Sequence, residues 1–146
     1  MASFVYPKGL LKCIDGTIDW VNDTTIKFML MNSHTPNTAH EFVSDIVADE
    51  FAGTGYTGGH NGSGRKALAS KTRAIVGTAV IFDAADPSAW TALNSDSIAW
   101  VAVFKQNAGD STSALICLLD PADLTTNGGD VTLTLPTDGV FKITAG

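Results

Sequence analysis

The chain has 146 residues, of which 45% are hydrophobic and 16% charged, with nine basic against fifteen acidic side chains and a net charge of −6. A domain of this length buries roughly 68 to 70% of the surface its unfolded chain exposes, so one core forms without metal or disulfide support. The charged share lies well below the usual value of about 25%, which leaves a surface suited to contact, and the acidic balance without a basic cluster argues against nucleic acid as the main partner.

Residues 1–6 carry Phe4, Val5 and Tyr6 ahead of Pro7. A proline there cuts a strand short or leaves it at a sheet edge, so residues 1–7 read as an N-terminal arm able to pack on a neighbour. Residues 8–15 (KGLLKCID) space Leu10, Leu11 and Ile14 as a short helix does, and Gly16 closes it. After a turn over 17–23, residues 24–31 (TTIKFMLM) start polar and end apolar, as a strand entering the core does. Residues 34–49 place Phe42, Val43, Ile46 and Val47 at helical spacing and read as a short helix or an extended loop. Residues 53–64 (GTGYTGGHNGSG) are too rich in glycine for regular structure and read as a flexible surface loop.

Three β segments follow, over 74–83 (AIVGTAVIFD), 97–105 (SIAWVAVFK) and 114–120 (ALICLLD). Residues 130–135 (DVTLTL) and 140–144 (VFKIT) form two more, with Pro136-Thr-Asp-Gly139 as a hairpin connection. Strands divided by turns, with no room for long helices, predict a mostly β single domain over residues 1–146. The expected architecture is an antiparallel β-sandwich, jelly-roll-like or a flattened barrel, with one or two short helices. The runs 98–104 and 114–119 do not alternate, so both their faces need cover, either by the same chain or by another subunit.

The sequence holds few candidates for chemistry. Gly53, Gly55 and Gly58 spell a dinucleotide fingerprint, but more glycine follows where a helix must start, and Gly59 and Gly64 have phosphate-loop spacing with Arg65 in place of the lysine. His34, His40 and His60 lack ligand spacing and read as solvated loop histidines. Asp15, Asp19 and Asp23 read as turn and capping residues, and Cys13 and Cys117 as small buried hydrophobes. No nucleophile elbow is present. No catalytic residue, cofactor or metal is therefore expected. Arg65, Lys66, Lys71 and Arg73 are the one local group of cations and read as a solvated surface. Trp100 reads as core, whereas Trp20 and Trp90 lie beside turns, where an aromatic belongs to the core, caps a sandwich or anchors an interface. No run approaches the length of a membrane span and no leader pattern opens the chain, so synthesis and retention in a cytoplasm are expected, with no membrane partner.

Gly9-Leu-Leu, followed by residues 16–30 (GTIDWVNDTTIKFML), resembles the opening of a family of small tailed-phage virion proteins, in which a short helix, a turn and a T-I-K-x-x-L strand come first. The likeness continues through Pro36-Asn-Thr, residues 40–45 (HEFVSD), Glu50, residues 53–58 (GTGYTG), Phe82-Asp-Ala with Trp90, and Leu115-Ile-Cys. It lies in the order of short motifs along most of the chain. The resemblance implies a non-enzymatic capsid decoration or cement protein on the outer surface of the head. Such a protein is made in the bacterial host cytoplasm and binds the major capsid protein and other copies of itself as a dimer or trimer, with no small-molecule substrate. Phe4, Tyr6, Trp20 and Trp90 are the expected interface anchors. The alternatives are a neck or tail component, or a module that binds host-surface glycans through the glycine-rich loop and Trp90.

Overall fold

The computed structural model describes all 146 residues. In chain order the elements are β1 (Ala2–Val5), α1 (Pro7–Ile14), β2 (Ile26–Met31), 3₁₀ turns at Val43–Asp45 and Val47–Asp49, β3 (Lys66–Ala67), β4 (Thr72–Val76), β5 (Ala79–Asp83), β6 (Asn94–Ile98), β7 (Trp100–Lys105), β8 (Ala114–Asp120), β9 (Leu124–Asn127) and β10 (Phe141–Thr144). The protein is mostly β and its strand pairs are antiparallel, in a sandwich-like arrangement, as the sequence predicts. The main sheet has the order β1-β8-β7-β2-β3, and sheets of order β10-β5-β4 and β6-β9 accompany it.

The main sheet is apolar on both faces because its strands carry two sets of alternating side chains. Ile26, Phe28 and Leu30 of β2 and Val101 and Val103 of β7 face one core, where Trp20, Phe82, Trp90 and Phe141 complete the packing. Met29, Met31, Ala102 and Phe104 face the other, where Tyr6, Val43 and Ile46 cover them. The continuous apolar runs are therefore covered within one chain, and β7 and β8 need no second subunit. Between Cys117 opposite Val103 and Leu115 opposite Phe104, β8 holds one extra residue, a bulge that turns Ile116 and Cys117 toward the same core.

Helix α1 begins with proline at its first position, where the fixed φ suits a helix and no N–H is missed. It lies on β8 so closely that a Cβ on Gly9 would stand 1.9 Å from the Leu115 carbonyl oxygen. Only glycine permits that approach. The predicted helix, the strand over 24–31 and the strand over 114–120 are all present within two residues of their expected ends.

Other segments fold differently from the expectation. Residues 74–83 are not one strand: β4 and β5 form a hairpin over Gly77-Thr78, with Val76 opposite Ala79 and Gly77 at φ +62°, as a two-residue hairpin turn requires. Residues 97–105 divide at Ala99 into β6 and β7, which belong to different sheets. Residues 130–135 form no strand beyond one bridge between Val131 and Trp90, and the turn after Pro136 feeds β10 onto β5 rather than closing a hairpin. The N-terminal arm is β1, already paired to β8 of its own chain. Trp20 and Trp90 are fully in the core, and Trp100 is partly buried and packs against the second core. No helix is long and apolar enough to cross a membrane.

Candidate functional site

The densest polar constellation lies under the glycine-rich loop. Arg65 follows that loop, and its side chain is fully buried. Its Nε and Nη2 donate to the two Glu50 carboxylate oxygens at 2.9 and 2.8 Å, and Nη1 and Nη2 donate to Asp110 at 2.6 and 3.1 Å. Burial alone would lower the guanidinium pKa, but these hydrogen bonds, Glu50 first, raise it well above its ordinary value. Glu50 also accepts from the Tyr56 hydroxyl at 3.0 Å and from the Gly59 N–H at 3.0 Å. Burial and the Glu50 charge push the Tyr56 phenol upward. The guanidinium stands 5.5 Å from the centre of the Phe104 ring, which closes its remaining side.

Every acceptor of Glu50 is thus committed, and both oxygens of Asp110 are held by Arg65. The arrangement ties the loop over residues 53–64 to β2, through the bridge of Met31 to Glu50, and to the loop before β8. Chemically it is a clasp. The cation group expected on the surface does not assemble there: Arg65 is interior, Lys66 caps the carbonyls of Ser88 and Ala89 and sits 5.0 Å over Trp90, and only Lys71 and Arg73 have no such partner.

The histidines depart from the expectation of solvated loops. His34 is only 4% exposed, with Nδ1 2.7 Å from Asp49 Oδ2, and the His40 ring lies 5.4 Å away. His60 is half-buried beside Asp110, 3.8 Å from its carboxylate. Asp15, Asp19 and Asp23 do hold turns, accepting from the N–H groups of Thr17, of Val21 and Asn22, and of Asp19. Cys13 and Cys117 are buried thiols.

The surface offers a different feature. Strand β4 is exposed at all five residues and forms the outer edge of its sheet. Ile75 is 80% and Val76 59% exposed, on opposite faces of the strand. Because Val76 and Ala79 flank a two-residue turn, Thr72 and Ala74 bond inward to β5, and Arg73 and Ile75 turn their N–H and C=O groups outward. No proline or bulge interrupts this edge, whose one charge is Arg73, and such an edge is a template for pairing with another chain.

Of the expected anchors, Tyr6 and Trp20 are 0% exposed and Trp90 is buried with its Nε1 donating to the Gly64 carbonyl at 2.7 Å. Phe4 alone keeps some surface, packed edge-on against Tyr6 at 5.2 Å. The glycan reading through the loop and Trp90 thereby loses its aromatic platform. The apolar cavity next to Trp90, lined by Leu30, Ile98, Val101, Leu124 and Leu133, holds about 60 Å³, whereas sites for small molecules span about 300 to 1,000 Å³. Sequence reasoning missed Ile75 and Val76 because they lie inside what reads as one continuous strand over 74–83. It missed the clasp because Glu50, Arg65 and Asp110 are 15 and 45 residues apart. No protein family matches the chain, and neither a curated protein nor a solved structure does.

Proposed function

We propose that the chain is a structural protein of a tailed-phage virion, a decoration or cement protein of the head that works by protein–protein contact. The observation that carries this reading is the unpaired edge of β4 with the apolar Ile75 and Val76 in solvent. A strand edge of this kind adds main-chain hydrogen bonds to apolar contact, which suits a protein that bridges subunits of a shell. Leu11 and Ile14 on α1 are exposed as well and add apolar surface for contact. The order of short motifs along the sequence supports the phage assignment. The partners are the major capsid protein and further copies of this chain, and a symmetric oligomer presents the same edge repeatedly to a symmetric lattice.

The test is the copy number in purified virions, by quantitative mass spectrometry against the major capsid protein with a reconstruction of the particle. Hundreds of copies spread over the shell agree with a decoration or cement role. A dozen or fewer at one vertex move the protein to the neck or tail, and none at all removes it from the virion.

A further inference from the structure

His34 and His40 are brought together by the loop after β2, and nothing in the clasp or at the β4 edge uses them. The His34 imidazole is 4% exposed, and its Nδ1 lies 2.7 Å from Asp49 Oδ2. An ionised carboxylate only accepts, so Nδ1 of the neutral ring holds the proton and Nε2 is left with a lone pair. That Nε2 is buried and has no hydrogen-bond partner. His40 Nδ1 is buried and unpartnered too, and the two ring centroids are 5.4 Å apart with the planes tilted by 41°. Both nitrogens belong to neighbouring imidazoles, and buried polar groups ordinarily have a partner.

We propose that His34 Nε2 and His40 Nδ1 together bind one divalent ion of the zinc, copper or nickel class. Two imidazoles sharing one tetrahedral ion through bonds of about 2.0 to 2.1 Å have ring centroids about 5 Å apart, close to the separation here. The Asp49 contact is the outer-shell carboxylate that fixes the tautomer of a metal-ligating histidine and raises its basicity. Imidazole nitrogen selects this class over calcium and magnesium, which take oxygen ligands. The neighbouring acids are already engaged: Asp45 accepts from the N–H groups of Glu41 and Phe42, and Glu41 pairs with Lys8 and Lys12. No third His, Cys, Asp or Glu converges with the pair, so the chain supplies two ligands.

The experiment titrates zinc into the untagged, chelator-stripped full chain, against a chromogenic chelator and by nitrogen-15 spectra of the imidazoles. One zinc per chain is expected, with the His34 and His40 ring nitrogens shifting and those of His60 unmoved. His40→Ala weakens binding at least tenfold, and Asp49→Asn weakens it by about ten- to a hundredfold. The spectra of the wild-type chain keep the test valid where a variant fails to fold. Absence of uptake at millimolar zinc, as a buried water between the rings would give, overturns the proposal, and so does unchanged affinity in the His34→Ala/His40→Ala chain.

Discussion

Replacing Arg65 by Met removes the one cation that neutralises Glu50 and Asp110 while nearly filling its volume. Four hydrogen bonds of 2.6 to 3.1 Å are lost, and the Glu50 side chain, 7% exposed, keeps a charge with only Tyr56 and Gly59 as donors. Removing one partner of a buried pair costs about 3 to 5 kcal/mol, because the remaining charge is stranded. At about 3 °C per kcal/mol for a chain of this length, the melting temperature falls by roughly 9 to 15 °C. Arg65→Lys loses less, since a point charge reaches one carboxylate but not both with a fork. Adding Asp110→Asn to Arg65→Met recovers part of the loss, because it removes one of the stranded charges. The assay is urea unfolding followed by circular dichroism, with Lys142→Met as a control: its pair with Asp138 is half-exposed, and such pairs are worth about 0 to 1 kcal/mol. A loss below about 1 kcal/mol in Arg65→Met would refute the reading of the clasp as the anchor of the loop.

Gly9→Ala drives a methyl group to 1.9 Å from the Leu115 carbonyl oxygen and costs about 1 to 3 kcal/mol or more in chemical denaturation, with α1 forced off β8. Burial first, then the charge of Asp15, pushes the Cys13 thiol from 9.0 up to about 11, and burial raises Cys117 as well. Neither thiol should therefore react with a disulfide reagent at pH 8 faster than the chain unfolds, a rate read directly by absorbance. A raised thiol pKa also stabilises the fold below pH 9 and ceases to do so as pH climbs toward 11. Cys13→Ala should flatten the alkaline loss of stability. Trp90→Phe leaves the Gly64 carbonyl without its donor and costs about 1 to 3 kcal/mol in thermal unfolding.

Much of the fold is legible because its causes are local. Pro7 and Gly16 bracket a helix of two turns, and residues 24–31 and 114–120 are apolar enough to belong to a sheet wherever it lies. Two of the errors come from runs of sequence that cross the boundary between two strands. Gly77-Thr78 sits between Val76 and Ala79, so a hairpin reads as one strand, and only the positive φ of Gly77 betrays it. Ala99 likewise hides the point where the chain leaves β6 for the main sheet. Trp20 lies beside a turn in sequence, yet its Nε1 reaches the carbonyls of Thr72 and Asp83, more than fifty residues away. The clasp and the His34–Asp49 contact are set by tertiary structure alone, and no spacing rule foretells them.

The proposed function makes the open edge of β4 the contact surface of a virion structural protein. The most direct test compares wild type with Ile75→Lys/Val76→Lys in rebinding to phage heads that lack the protein, counting bound copies by mass spectrometry. Both residues face solvent, so each change costs the isolated fold about 0.5 kcal/mol or less, and circular dichroism should not distinguish the two chains. Wild type is expected to saturate the heads while the double variant binds at least tenfold more weakly. Equal binding by a correctly folded double variant would contradict the proposed function.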